Sequence, residues 1–106
     1  MKDQEFKELF QVLEQKEKEA QKVVREVKLS KEDLFKEYLK EQDTHVAGDV
    51  LRDHEKYMLL EKKDYSLNLI TGLPIIIYYG WACNKKGKRN QKDTRVTIFS
   101  YDLQDL

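Results

Sequence analysis

Tyr65-Ser66-Leu67-Asn68-Leu69-Ile70-Thr71-Gly72-Leu73-Pro74-Ile75-Ile76-Ile77-Tyr78-Tyr79-Gly80-Trp81-Ala82 is the stretch in which the chain changes its period. Tyr65, Leu67 and Leu69 alternate with Ser66 and Asn68, the two-residue repeat of a half-buried strand. Thr71-Gly72-Leu73-Pro74 then signals a turn. Ile75 to Ala82 is the most strand-like run in the chain, rich in β-branched and aromatic residues. Downstream, a polar stretch from Asn84 to Thr94 separates this run from Arg95 to Tyr101, which is strand-like again. The last two strands are therefore expected to form an antiparallel hairpin across a long basic loop.

Upstream of Tyr65 the pattern is helical. Residues 4–28 contain neither Gly nor Pro, and Phe6, Phe10, Leu13, Glu17, Ala20, Val24 and Val27 recur at the spacing of a heptad seam. The centre of that seam is poor in apolar residues, which favours a helix packed at both ends on its own domain. A homodimer through the N-terminal helix is the other arrangement the spacing fits. Ser30 with Asp33 three positions on nearly matches a capping box, opening a second helix with Leu34, Phe35, Tyr38 and Leu39 as its apolar stripe. Asp43 or Thr44 would cap a third, with Val46, Ala47, Val50, Leu51, His54, Tyr57 and Met58 on one side and an end near Met58. Tyr57 to Lys62, if extended, would add a fourth strand.

Helices first and strands last argue for an α+β fold. The expectation is about three N-terminal helices packed on one face of a small C-terminal antiparallel sheet of three or four strands. Residues 1–106 then make one domain, mainly helical over 1–58 and mainly strand over 59–106, ending in the basic hairpin. A length of 106 residues suits one ordinary domain. With 40% hydrophobic and 38% charged residues, the chain is unusually polar yet carries enough apolar material for a modest core.

Charge and cysteine usage narrow the function. The total is balanced, with 20 basic and 20 acidic residues, but Lys85, Lys86, Lys88, Arg89 and Lys92 crowd into one loop beside Arg95, with Asp93 as the lone acid among them. Any polyanion binding must therefore be local. Cys83 is the sole cysteine, so no intrachain disulfide or cysteine-based metal cluster forms. Adjacent lysines would lower its pKa, but a lone cysteine at a strand end usually serves as a small apolar filler. Met1-Lys2-Asp3-Gln4-Glu5 lacks the apolar core of a secretory signal, and the apolar stretch 67–82 is too interrupted for a spanning helix, so a cytoplasmic location and no membrane contact are expected.

Candidate chemistry is sparse. The four glycines form neither a phosphate loop nor a dinucleotide fingerprint, and no serine sits in a nucleophile elbow. On a third helix, His45, Asp49 and Asp53 share a face but make an incomplete metal site, and His54 turns to the apolar side. No catalytic residue, cofactor or metal site is assigned.

The loop cations Lys85, Lys86, Lys88, Arg89, Lys92 and Arg95 are the binding candidates. Because Ile75, Ile77, Tyr79 and Trp81 share a face read as core, Tyr78 is expected to be the exposed contact ring beside them, with Phe99 or Tyr101 depending on register. These features point to a small non-enzymatic binding or regulatory protein of the adaptor, accessory or inhibitor type, acting by contact with an acidic protein surface. The alternative is a DNA- or RNA-binding protein using loop 84–95 for phosphate contacts.

Overall fold

A computed structural model describes residues 1–19 and 30–106 of the chain. Two helices precede a four-stranded antiparallel sheet, so the architecture is α+β. The elements are α1 (Asp3–Glu19), α2 (Lys31–Leu39), β1 (Val50–Asp53), β2 (Lys56–Asn68), β3 (Leu73–Cys83) and β4 (Arg95–Phe99), with a 3-10 turn at Ser100–Asp102. The expected continuation of the first helix to residue 28, with Ala20, Val24 and Val27 on its seam, lies outside the described residues.

The chain condenses into two compact units. One comprises Met1–Asp43 and the tip of the β2–β3 hairpin, Leu67–Pro74. Its helices meet through aromatic rings: Phe6 lies 5.7 Å from Phe35 and 5.1 Å from Tyr38, and Phe10 stacks on Phe35 at 5.9 Å. Phe6, Leu13, Leu34, Phe35 and Leu39 are buried. Phe6 and Phe10 of the heptad-like seam are thus engaged by the chain's own second helix. The capping box at Ser30 forms as its sequence suggests, the Ser30 hydroxyl accepting from the Asp33 N–H at 3.1 Å and the Asp33 carboxylate accepting from the Ser30 N–H.

The other unit is the sheet, Thr44–Ser66 and Ile75–Leu106, with strand order β1-β2-β3-β4. Here the third helix expected over 44–58 is corrected. Gly48 turns the chain at φ +98°, β1 begins at Val50, and a two-residue turn, His54-Glu55, leads straight into β2. The misreading has a geometric cause. Leu51 and Met58 are seven residues apart, which places them on one face of a helix, and they are also directly opposed across this hairpin. His54, with φ +54° and an exposed ring, occupies the turn rather than an apolar stripe.

The core of the sheet unit consists of Leu51, Met58, Leu60, Ile76, Tyr78, Cys83 and Ile98. Tyr78 opposes Ile98, and Gly80 opposes Val96, on the buried side. Beyond the 3-10 turn the chain reaches β1, where the Gln104 N–H donates to the Arg52 carbonyl at 2.8 Å and forms a bridge with it. Arg52 in turn donates to the carbonyls of His54 and Asp105, so the C-terminal segment is held beside β1 at Arg52. Among the described residues no helix is long and apolar enough to cross a membrane.

Candidate interaction surface

The segment between β3 and β4 folds as two successive tight turns. Asn84 organises the first: its side-chain Oδ1 accepts from the N–H groups of Lys86 at 3.0 Å and Lys88 at 2.9 Å, and its own N–H donates to the Lys88 carbonyl. Gly87 completes that turn at φ +85°, where a side chain would be strained. Arg89 then falls opposite Cys83, and the Asn90 N–H donates to the Ala82 carbonyl at 3.0 Å. In the second turn the Asp93 N–H donates to Asn90, and the Ala82 N–H donates to Thr94 to start the β3–β4 ladder. Backbone bonds of this kind hold the cations in defined places.

Lys85, Lys86, Lys88, Arg89, Lys92 and Arg95 are all exposed. Arg89 pairs with Asp93 at 2.9 Å, and its guanidinium carbon lies 4.1 Å from the centre of the Trp81 ring. Arg95, directly opposite Trp81 across the ladder, brings its guanidinium to 4.6 Å from the same ring. Two β3 positions further back, the Lys62 ammonium sits 5.2 Å from the Tyr79 ring. Phe99 and Tyr101 stack at 5.5 Å with nearly parallel planes. Cations resting on aromatic faces are attracted by the ring quadrupole, which fixes both partners.

This arrangement corrects the sequence reading of the strand faces. Tyr78, expected to be the exposed contact ring, is only 1% exposed and lies in the core, whereas Trp81 and Tyr79 are on the partly open side. The run from Leu73 to Cys83 is apolar at nearly every position, so its own period cannot choose a face. The choice is made by β4, whose Arg95 and Thr97 are exposed while Ile98 is buried. Alternation in Arg95-Val96-Thr97-Ile98 was the available signal, and it pointed to Trp81, Tyr79 and Lys62 as site residues once the register was known.

The remaining candidates scatter. His45 lies 3.8 Å from Asp49, its ring edge-on to Tyr78, whereas Asp53 is bound to His54 at 2.6 Å in the β1–β2 turn. No set of three metal-ligating side chains gathers among the described residues. Cys83 is buried, and burial pushes its thiol up from the ordinary range, which opposes reactivity despite the neighbouring lysines. Arg95, Val96 and Thr97, with Lys56, Tyr57 and Asn90, also line an open groove of about 430 Å³. Compared with known proteins, the chain matches no family model, no curated protein and no solved structure.

Proposed function

We propose that this chain is a non-enzymatic binding protein that docks an acidic surface of a protein partner through the β3–β4 turn and the adjoining open face of the sheet. One observation carries the reading: Lys85, Lys86, Lys88, Lys92 and Arg95 are exposed and have no carboxylate partner among the described residues. Some lysines outside the turn are paired, as Lys36 is with Glu32 and Lys40 with Glu37, but no other segment gathers so many cations with so few acids. Like charges crowded on one turn repel one another, and an anionic partner relieves that repulsion.

A protein partner is favoured over nucleic acid by the state of the rings. Stacking a base needs a bare aromatic face. Tyr78 is buried, Arg89 and Arg95 lie over Trp81 and Lys62 lies over Tyr79, so the rings nearest the loop cations are engaged, and the exposed Tyr101 stacks on Phe99 at the far end of β4. A half-buried Trp flanked by two Arg instead has the composition of a protein-contact anchor.

The test is copurification with the full chain and with a variant carrying Lys→Gln at 85, 86, 88 and 92, each with and without nuclease. The expected result is a nuclease-resistant protein partner that the variant recovers at least about tenfold less well, with unchanged thermal unfolding. Equal recovery by the variant overturns the reading. Material that disappears with nuclease, and whose affinity falls steeply with salt, replaces the protein partner with nucleic acid.

A further inference from the structure

In an antiparallel ladder the residues of one strand alternately direct their N–H and C=O groups toward the partner strand and away from it. The Ala82 N–H donates to the Thr94 carbonyl at 2.7 Å, which identifies Ala82 and Thr94 as a bonded pair. Following the register by twos, Gly80 with Val96 and Tyr78 with Ile98 are bonded pairs as well. The backbone groups of Arg95, Thr97 and Phe99 therefore point away from β3. β4 is the terminal strand of the sheet, and these groups have no partner among the described residues. The opposite edge differs, because β1 receives Gln104 and Asp105.

From this we infer that the edge of β4 accepts an extended acidic segment of the partner as an additional strand of the sheet. The inference rests on the docking reading above and specifies the form of the ligand. A strand laid along Arg95–Phe99 would meet three outward N–H groups and three outward carbonyls in the spacing that strand addition uses. Its side chains on the open face would lie beside Arg95, Thr97 and Phe99, with Trp81 and Tyr79 in the next row. Acidic residues near the Arg95 end would meet the unpaired cations of the β3–β4 turn. Apolar or aromatic residues toward the other end would meet the Phe99–Tyr101 stack, whose Tyr101 is 63% exposed. Charge thus selects the segment and fixes its direction of approach, and the edge hydrogen bonds hold it extended.

Natural edges are commonly protected by proline, a bulge, or charge along their length. β4, Arg95-Val96-Thr97-Ile98-Phe99, has no proline, and its only charge is at the end that faces the cationic turn. That one charge repels a second copy of this chain and attracts an acidic strand.

The experiment uses the full chain and a fluorescein-labelled peptide alternating Glu with Val, titrated at low salt beside the same peptide N-methylated at each central residue. N-methylation removes the backbone donors and leaves the charge unchanged. Binding at least about tenfold weaker for the methylated peptide is expected, since several hydrogen bonds are lost together. Thr97→Pro in the protein removes an outward donor at an edge position that tolerates proline, and it should weaken the unmodified peptide to a similar extent. Should Thr97→Pro unfold the chain, the methylated peptide alone decides. If both peptides bind within about twofold of each other, and both are lost on Lys→Gln substitution at 85, 86, 88 and 92, docking stands and strand addition is overturned. If neither peptide binds, both readings fall.

Discussion

Gly80 shows how much of this fold depends on a single missing side chain. A Cβ built at that position would lie 2.0 Å from the Leu59 carbonyl oxygen and 2.8 Å from Met58 Cγ. The first of these is backbone, so β2 would have to move away from β3. Gly80→Ala is therefore expected to cost about 3 kcal/mol, the upper part of the range for overpacked sites, read as a lowered urea midpoint with an unchanged slope. A loss under about 0.5 kcal/mol would show that β2 and β3 are not held this closely. The same residue bears on the reversal of faces in β3. The sequence presents Ile75, Ile77, Tyr79 and Trp81 as the heavier apolar set, yet the set containing Tyr78 and Gly80 is buried, and at position 80 the close approach of β2 leaves no room for a side chain. Bulk was legible in the sequence, and the spacing between neighbouring strands was not.

At the scale of elements, α1 and α2 are tied near their ends by the Tyr38 hydroxyl, which donates to the Asp3 carboxylate at 2.5 Å. That hydrogen bond, then burial, then the carboxylate's charge push the Tyr38 hydroxyl up to about 12, from an ordinary value near 10. The raised value sets the sign of the linkage. The bond contributes fully to stability below pH ~10 and its contribution fades as pH rises through about 12. Phenolate absorbance during alkaline titration should include a late phase from Tyr38, and Asp3→Asn should bring that phase back toward the ordinary range. An unchanged titration in Asp3→Asn would deny the pairing. The capping box at Ser30 was legible because such signals are local. The hairpin of β1 and β2 was not, since a seven-residue spacing serves both a helix face and a cross-strand pair, and only Gly48 hinted at the turn.

Over the whole molecule, the 20 basic and 20 acidic residues cancel, yet their placement does not. The cations at the β3–β4 turn form a local positive field while the total stays near neutrality. Near pH 7 and at low salt the chain should be retained on a cation exchanger, and the variant with Lys→Gln at 85, 86, 88 and 92 should elute in the flow-through. Identical elution of the two would mean that the turn does not dominate the surface potential. This asymmetry, the α+β class and the cationic loop were readable from residue order alone. The rings that belong to the loop were hidden, because they depend on the pairing of Trp81 with Arg95 and on a turn that folds Arg89 back beside Cys83.

The bridge between Gln104 and Arg52 also sets a valence. Among the described residues the chain's own C-terminal segment sits beside β1 at Arg52, while no segment pairs with the outer side of β4. Even if the repulsion between their Arg95 side chains were overcome, copies meeting through β4 would pair two-fold, and the C-terminal segment beside Arg52 would hinder growth of a filament from the β1 side.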